Sequence, residues 1–143
     1  MSGNATTLHA AQAGSLPGLL GFEWDEARHG LVRGHVVVKP HHLAPTGYLH
    51  AASVVALADS ACGFGCLASL PVGATGFTTI ELKANFAGTV RQGRVECEAR
   101  LWHAGRSTQV WDAEVRDAAT GKAIAVFRCT QMLLCPQGTA AGR

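Results

Sequence analysis

Two kinds of hydrophobic pattern divide the chain. Residues 51–68, AASVVALADSACGFGCLA, form a run of apolar and small residues that has helical length and contains no proline. The stretches after it, GFTTIELKANF, RVECEARLWHAG, STQVWDAEVRD and KAIAVFRCTQMLL, alternate between apolar and polar residues. Alternation with a period of two is typical of strands that are covered on one side. The pattern therefore predicts one long buried helix followed by four long antiparallel strands.

The segment before this helix predicts two further strands. SLPGLLGFEWDEARHG indicates a short helical turn over residues 15–20 and a strand over 22–28, with a turn at His29 and Gly30. LVRGHVVVKP is β-branched and alternating, so it is the returning strand, which ends at Pro40; HHLAPTG is loop. One hydrophobic helix and about six antiparallel strands predict an α+β fold in which the sheet wraps around the helix.

The length of the chain, 143 residues, fits one domain. We expect a flexible N-terminus over residues 1–14, a single domain over 15–135 and a flexible C-terminal tail over 136–143. A single layer of helix on sheet leaves the other face or the edge of the sheet uncovered, so we expect a homodimer.

Composition narrows the classes of function. The chain is 48% hydrophobic and 15% charged with a formal net charge of +2, which is too mild for a nucleic-acid partner. The first residues show no export signal, so we expect a cytoplasmic protein. The apolar run is long enough to span a bilayer, but its central aspartate argues for a buried helix and against a membrane partner. We expect the five cysteines to be reduced thiols, and no spacing indicates a metal site.

Asp59 is the one ionisable side chain within residues 51–68. A carboxylate inside an apolar helix is costly unless it is bonded, paired or protonated. One interpretation is structural, in which Asp59 faces solvent or accepts a hydrogen bond that fixes packing. The other is functional, in which the carboxylate lies in a cleft and acts as a nucleophile or as a general base.

The start of the helix offers a second candidate group. TGYLHAAS places Gly47 in a turn, His50 at the helix start and the small residues Ala51 and Ala52 in the first turn, where free backbone N–H groups can bind a carbonyl oxygen that gains negative charge. His50 could be a base, but its position is more typical of a helix cap. Ala51 and Asp59 are about 12 Å apart along the helix axis. Both can act on one acyl group only if they come from two subunits.

These residues carry a resemblance to a known family. TGYLHAASVVALADSA, followed by TTIELKANF and HAGRSTQVWDAEVRD, resembles the hotdog-fold acyl-CoA thioesterases of the phenylacetate-pathway (PaaI) type and the related Arthrobacter-type 4-hydroxybenzoyl-CoA thioesterase. The family signature is similar to G-x-x-H-G-G followed by six residues and an acid, which match Gly47, His50, Ala51, Ala52 and Asp59. The resemblance implies a hotdog fold and an acyl-CoA substrate, with dimers that pair into a homotetramer.

The resemblance also implies roles for individual residues. Asp59 activates water or attacks the thioester carbonyl, and the backbone amide of Ala51 from the partner chain polarises the carbonyl oxygen. The turn with Arg106, Ser107 and Thr108 lies near the pantetheine and nucleotide of coenzyme A. We also expect Thr79, Ala44, Ala52 and Gly63 to contact substrate. Coenzyme A is then part of the substrate, and no separate cofactor is expected.

The sequence departs from the family pattern at several positions. Alanines replace the two glycines that follow the histidine, and Ala44 lies where the family often has Asn or Gln. Gly63 lies where related enzymes can have Thr. We consider His42 and Thr46 as candidates for part of the missing polar role.

Three functions remain open on the sequence. The first is an acyl-CoA thioesterase with a small aromatic or medium-length acyl group. The second is a non-catalytic acyl-CoA-binding protein on the same scaffold, which the alanine replacements favour. The third, which we rank lower, is a hotdog dehydratase or hydratase that acts on a 2-enoyl or 3-hydroxyacyl thioester.

Overall fold

A computed structural model describes residues 5–136 of the chain. Its helices and strands form one sequence of elements: α1 Ala5–Gln12, α2 Leu16–Leu19, β1 Glu23–Arg28, β2 Leu31–Val37, a 3-10 turn Pro40–His42, α3 Ala51–Ala68, β3 Gly76–Phe86, β4 Arg94–Ala104, β5 Thr108–Asp117 and β6 Ala123–Leu134. The six strands form one antiparallel sheet in the order β1-β2-β4-β5-β6-β3. The predicted α+β architecture is confirmed.

Helix α3 packs against the sheet and contacts all six strands. Most of its buried residues recur every three or four positions, as one face of a helix requires: Val54, Leu57, Ala58, Ala61, Cys62, Gly65 and Cys66. Gly63 is also buried and lies on the side of Asp59. By length and composition alone this helix could also cross a membrane. However, one face of this helix is buried against the sheet, as is typical of the core helix of a globular domain.

The inner face of the sheet follows the predicted alternation. In β4, Val95, Cys97 and Ala99 are buried, whereas Glu96 and Arg100 are exposed. The predicted β1–β2 turn is present, and Gly30 adopts a φ of +79° there, which favours glycine.

The five cysteines are free thiols, of which Cys62, Cys66, Cys97 and Cys129 are buried and Cys135 is exposed. Burial raises the pKa of Cys66 and of Cys97 to about 12. These thiols therefore stay protonated and pack as small apolar side chains.

The N-terminal segment differs from the prediction of a flexible stretch over residues 1–14. Residues 5–12 form α1, which is held on β1 by side-chain hydrogen bonds. His9 Nε2 accepts from the backbone N–H of Trp24 at 2.9 Å, and Trp24 Nε1 donates to Gln12 Oε1 at 2.8 Å. Leu8 joins the hydrophobic core. Residues 1–4 and 137–143, where the rest of the predicted flexible ends fall, lie outside the described residues.

Strand β3 lies at one end of the described sheet. Three of its large apolar side chains are exposed, with 56% of Ile80, 44% of Leu82 and 49% of Phe86 accessible. This row follows the free edge of the sheet, where another strand could pair.

Candidate active site

Asp59 lies on the side of α3 that faces away from the centre of the sheet, and its side chain is half-buried. The Oδ1 atom is buried and has no hydrogen-bond partner among residues 5–136. Among the described residues, Oδ1 therefore makes no hydrogen bond that would fix the packing of α3. A buried polar atom without a partner is rare in proteins and points to a group that a ligand or water contacts.

A cavity of about 180 Å³ opens beside Asp59. It is formed by α2, α3 and β3, and its lining residues are Pro17, Asp59, Ser60, Gly63, Phe64, Leu67 and Phe77. Most of these side chains are apolar, and the carboxylate is the one charged group of this lining. An apolar lining with a small number of polar groups is the kind of lining that small-molecule sites have.

The surroundings of Asp59 change its acidity. Removal from water raises the pKa of the Asp59 carboxyl above its ordinary value of 3.8, because the charged form loses hydration. The adjacent Cys62 thiol lies in the core, and burial also raises its pKa, so it stays protonated. Asp59 is therefore the ionisable group of this lining, and it can act as a nucleophile or base.

The start of α3 is capped as the sequence predicts. His50 is the N-cap, and its Nδ1 atom accepts a hydrogen bond from the backbone N–H of Ala52 at 2.9 Å. The N–H groups of Ser53 and Val54 donate to the His50 carbonyl. The N–H of Ala51 donates no hydrogen bond within residues 5–136 and is available to a ligand. Both Ala51 and Ala52 are exposed.

The turn before the helix is tight. Gly47 has a φ of +86°, and its N–H donates to the Ala44 carbonyl at 2.9 Å, while the Ala44 N–H donates to the Tyr48 carbonyl at 2.8 Å. The Arg91 guanidinium lies 4.0 Å from the centre of the Tyr48 ring. Ala44 is half-buried, and its methyl group supplies no hydrogen bond.

The suggestion that His42 supplies the missing polar group is wrong. His42 is buried, its Nδ1 accepts from the Lys39 N–H at 2.9 Å, and its Nε2 donates to the Leu20 carbonyl at 2.7 Å. Burial lowers its pKa from 6.5, in keeping with a neutral ring. Both ring nitrogens therefore hold the loop in place and cannot contact substrate.

The structure brings Asp59 and Gly63 together in one cavity, as one helical turn separates them. It does not bring Ala51 to Asp59, since eight residues of helix separate them by about 12 Å along the axis. Thr79 is half-buried and donates from Oγ1 to Gln131 Oε1 at 2.7 Å, outside this cavity.

The predicted coenzyme A contacts lie in the β4–β5 turn. Arg106 and Ser107 are exposed there, and Thr108 is half-buried. Within the described residues Arg106 forms no ion pair. The turn therefore exposes the Arg106 guanidinium to solvent, at a place distinct from the cavity beside Asp59.

Five residues of the cavity lining are not predicted from the sequence, namely Pro17, Ser60, Phe64, Leu67 and Phe77. Part of this set could have been found, because Ser60, Phe64 and Leu67 recur at spacings of four and three residues and form a stripe of the helix next to that of Asp59 and Gly63. Pro17 and Phe77 come from distant parts of the chain, and no local pattern marks them.

A larger groove of about 500 Å³ lies on the outer face of the sheet. Four of its charged side chains form two pairs, since Arg128 donates to both oxygens of Asp112 at 2.6 and 2.8 Å and Arg100 donates to Glu98 at 2.6 Å. The groove therefore leaves no comparable unpartnered carboxylate among its described residues. Among residues 5–136 no group of three or more histidine, cysteine or acidic side chains could hold a metal ion.

Comparisons with known proteins show the family and the fold of this chain. The chain is 34% identical over 105 residues to a 1,4-dihydroxy-2-naphthoyl-CoA hydrolase from Listeria monocytogenes, covering 73% of this chain and 82% of the relative. The structure of a mutant thioesterase from Pseudomonas aeruginosa superposes with a TM-score of 0.88 at 27% identity, over 95% of this chain and 97% of that one.

The PaaI protein of Escherichia coli shares the fold, with a TM-score of 0.79 at 20% identity over 88% of this chain and 89% of that chain. The hotdog arrangement expected from the resemblance is thereby confirmed. The sequence profile of the thioesterase superfamily matches residues 46–124, which is more than half of the chain and includes the helix start, Asp59 and Phe77. The chain belongs to the thioesterase superfamily.

Proposed function

We propose that this protein hydrolyses an acyl-CoA thioester to the free acid and coenzyme A, with Asp59 as the reacting carboxylate. The observation that carries the proposal is the buried Oδ1 atom of Asp59, which has no partner among the described residues and lies beside an apolar cavity. The family and the CoA hydrolase of Listeria monocytogenes support the same class of substrate.

The ionised carboxylate can act in two ways. As a nucleophile, Asp59 adds to the thioester carbonyl, the C–S bond breaks, and water then cleaves the mixed anhydride. As a general base, Asp59 takes a proton from a water molecule that adds to the carbonyl. The C–S bond then breaks, and Asp59 returns this proton to the departing thiolate. Removal of the carboxylate from water makes it both a stronger base and a stronger nucleophile.

The carbonyl oxygen requires a donor that Asp59 cannot supply. We assign this role to the Ala51 N–H of a second subunit, because this group has no partner within the described residues and lies at the positive end of the helix dipole. Within one chain the two groups are too far apart to act on the same carbon.

A homodimer in which β3 pairs with β3 of a second copy would supply that subunit. The free edge of β3 and the exposed Ile80, Leu82 and Phe86 favour this contact. We further propose that two such dimers associate into a tetramer, which light scattering after size exclusion would measure directly. A cytoplasmic location and a coenzyme A contact at Arg106, Ser107 and Thr108 stay predictions.

The test is hydrolysis of a panel of aryl, short-chain and long-chain acyl-CoA compounds by Asp59→Ala and Asp59→Asn. We expect kcat/KM to fall by about 10²–10⁴, the usual contribution of a general base. Asp112→Asn makes the same chemical change on the outer face of the sheet and should retain activity. A loss below about tenfold, roughly 1.4 kcal/mol, excludes a central chemical role for Asp59.

A second candidate is an acyl-CoA-binding protein without turnover. The observation that favours it is the helix start, where Ala51 and Ala52 are exposed and Ala44 brings a methyl group instead of an amide. This candidate predicts saturable binding of acyl-CoA with no hydrolysis. Measurable hydrolysis that disappears in Asp59→Asn eliminates it.

A further inference from the structure

Gly63 and Phe77 form a close contact at the cavity beside Asp59. A β-carbon built on Gly63 would lie 3.0 Å from Cζ of Phe77, which is tighter than ordinary packing. The tip of the ring therefore occupies the space that a side chain at position 63 would need. Phe77 is the second residue of β3, where it pairs with Leu133 of β6.

The glycine is costly for the helix and must be explained by its contact. Glycine in a helix interior is about 0.8–1.0 kcal/mol less favourable than alanine. Gly63 lies in the middle of α3, and it shows no positive φ that would require glycine. Because position 63 has no side chain, the Phe77 ring can lie close to the helix backbone there.

The size of the cavity limits what can fit against the ring. Its volume of about 180 Å³ is close to the roughly 150 Å³ of an apolar cavity that holds benzene. The lining of Pro17, Phe64, Leu67 and Phe77 is apolar on several sides. One six-membered ring or a short branched chain fills the part of the site that a single chain provides.

We propose that the Phe77 ring, seated on Gly63, determines the acyl-group specificity of this protein by closing the cavity to long straight chains while packing against compact acyl groups. The proposal rests on the function proposed above, since it places the acyl group at Asp59. Phe77 is a specificity-determining residue and takes no part in the chemical step.

A purely structural role for Phe77 makes a different prediction. Phe77 is half-buried, whereas Phe127 on the neighbouring strand is 4% exposed and belongs to the core. If Phe77 only stabilised β3, its replacement would lower stability and change the hydrolysis of all acyl groups by one common factor. The ranking of acyl groups separates the two roles.

The experiment compares Phe77→Ala and the milder Phe77→Leu with the wild type on benzoyl-CoA and decanoyl-CoA. We expect the ratio of kcat/KM for decanoyl to that for benzoyl to rise at least tenfold in Phe77→Ala and in the same direction in Phe77→Leu, in line with the discrimination that apolar pockets achieve. Trp102→Ala removes an exposed aromatic ring from β4, outside the cavity, and should leave the ratio unchanged. Folded variants with a ratio within twofold of the wild type overturn the proposal.

A binding series separates this proposal from the proposed function. The dissociation constants of S-benzyl-CoA and S-decyl-CoA, which cannot be hydrolysed, are measured by calorimetry in the wild type, Asp59→Asn and the Phe77 variants. We expect preference for the benzyl compound in the wild type and its loss in Phe77→Ala, whether or not thioesters are turned over. Equal affinity for both compounds in the wild type, or no binding of either, overturns the inference.

Discussion

Helix α3 presents two sides that are built differently. The side toward the centre of the sheet buries apolar and small residues, while the side toward the cavity carries Asp59. Each side has one glycine that receives an aromatic ring, Gly65 for Trp111 and Gly63 for Phe77. The sequence alone does not distinguish the two glycines, which lie two residues apart in the same apolar run.

The polar atoms around the two rings distinguish these sides. Trp111 is fully buried, its Nε1 donates to Gln109 Oε1 at 2.8 Å, and Gln109 Nε2 donates to the Ser69 carbonyl at 2.8 Å. Beside Phe77, the Oδ1 of Asp59 has no partner among the described residues. Where all bonds are made within the chain, the residues serve folding. A buried oxygen without a partner among the described residues is instead a candidate contact for a ligand or water.

The largest expected difference lies in how much a methyl group added to each glycine lowers the free energy of unfolding. In Gly65→Ala the β-carbon would lie 2.5 Å from Cη2 of Trp111, whose ring is fixed on all sides, so we expect a loss of about 3 kcal/mol in the free energy of unfolding. In Gly63→Ala the contact is with the tip of the half-buried Phe77, and the gain in helix propensity offsets the strain, so we expect a change within about 1 kcal/mol.

Urea denaturation of both variants under the same conditions measures these free energies. Activity on benzoyl-CoA gives a second readout, because Gly63→Ala should alter it at nearly unchanged stability. Equal destabilisation by the two substitutions would show that the cavity side is as rigid as the core side, and the comparison would fail.

Much of this fold follows from local patterns. The change from an apolar run to strict alternation locates α3 at Ala51–Ala68 and β3 at Gly76–Phe86, as predicted. Helix α1 was not predicted, because its sequence has no clear helical periodicity. It is held instead by contacts of His9 and Gln12 with β1. Contacts between distant segments decide whether such a weakly patterned stretch folds.

The candidate site divides in the same way. Asp59 and the helix cap His50 are visible in the sequence, since a lone acid in an apolar run and a polar residue before a helix are both local signals. Phe77 and Pro17 are not visible, because their place beside Asp59 depends on how β3 and α2 pack on α3. The error at His42 has the same origin, since its partner Leu20 lies in a distant segment.

A change in the hydrogen bonds behind Trp111 should have an intermediate effect. Gln109→Leu keeps the approximate shape of the side chain but leaves Trp111 Nε1 and the Ser69 carbonyl buried without partners. We expect a loss of about 2 kcal/mol in the free energy of unfolding. Gln92→Leu, at an exposed position, is the matched control and should stay within about 0.5 kcal/mol. A loss no larger than that of the control means that these hydrogen bonds do not stabilise the core side.

The smallest expected effect has the opposite sign and comes from the cavity side. Asp59→Asn replaces a charged group, whose Oδ1 has no partner among the described residues, by a neutral one, so at neutral pH we expect the variant to be more stable than the wild type by roughly 1 kcal/mol. Asp112→Asn breaks the pair with Arg128 and should give no gain. Stability and activity then change in opposite directions at one residue, as is common at active sites.

The pH course of this difference tests its cause. Because burial raises the pKa of Asp59 in the folded protein above 3.8, the folded state binds its proton more tightly than the unfolded state does. The cost of the charged carboxylate is therefore fully present above the folded pKa and is relieved as the pH falls through it, so the advantage of Asp59→Asn should shrink over that window. Over the same window kcat/KM of the wild type should fall, because the reacting carboxylate becomes protonated. An advantage that stays constant down to pH 3.8 would mean that the ionisation of Asp59 is not what distinguishes the cavity side of α3 from its core side.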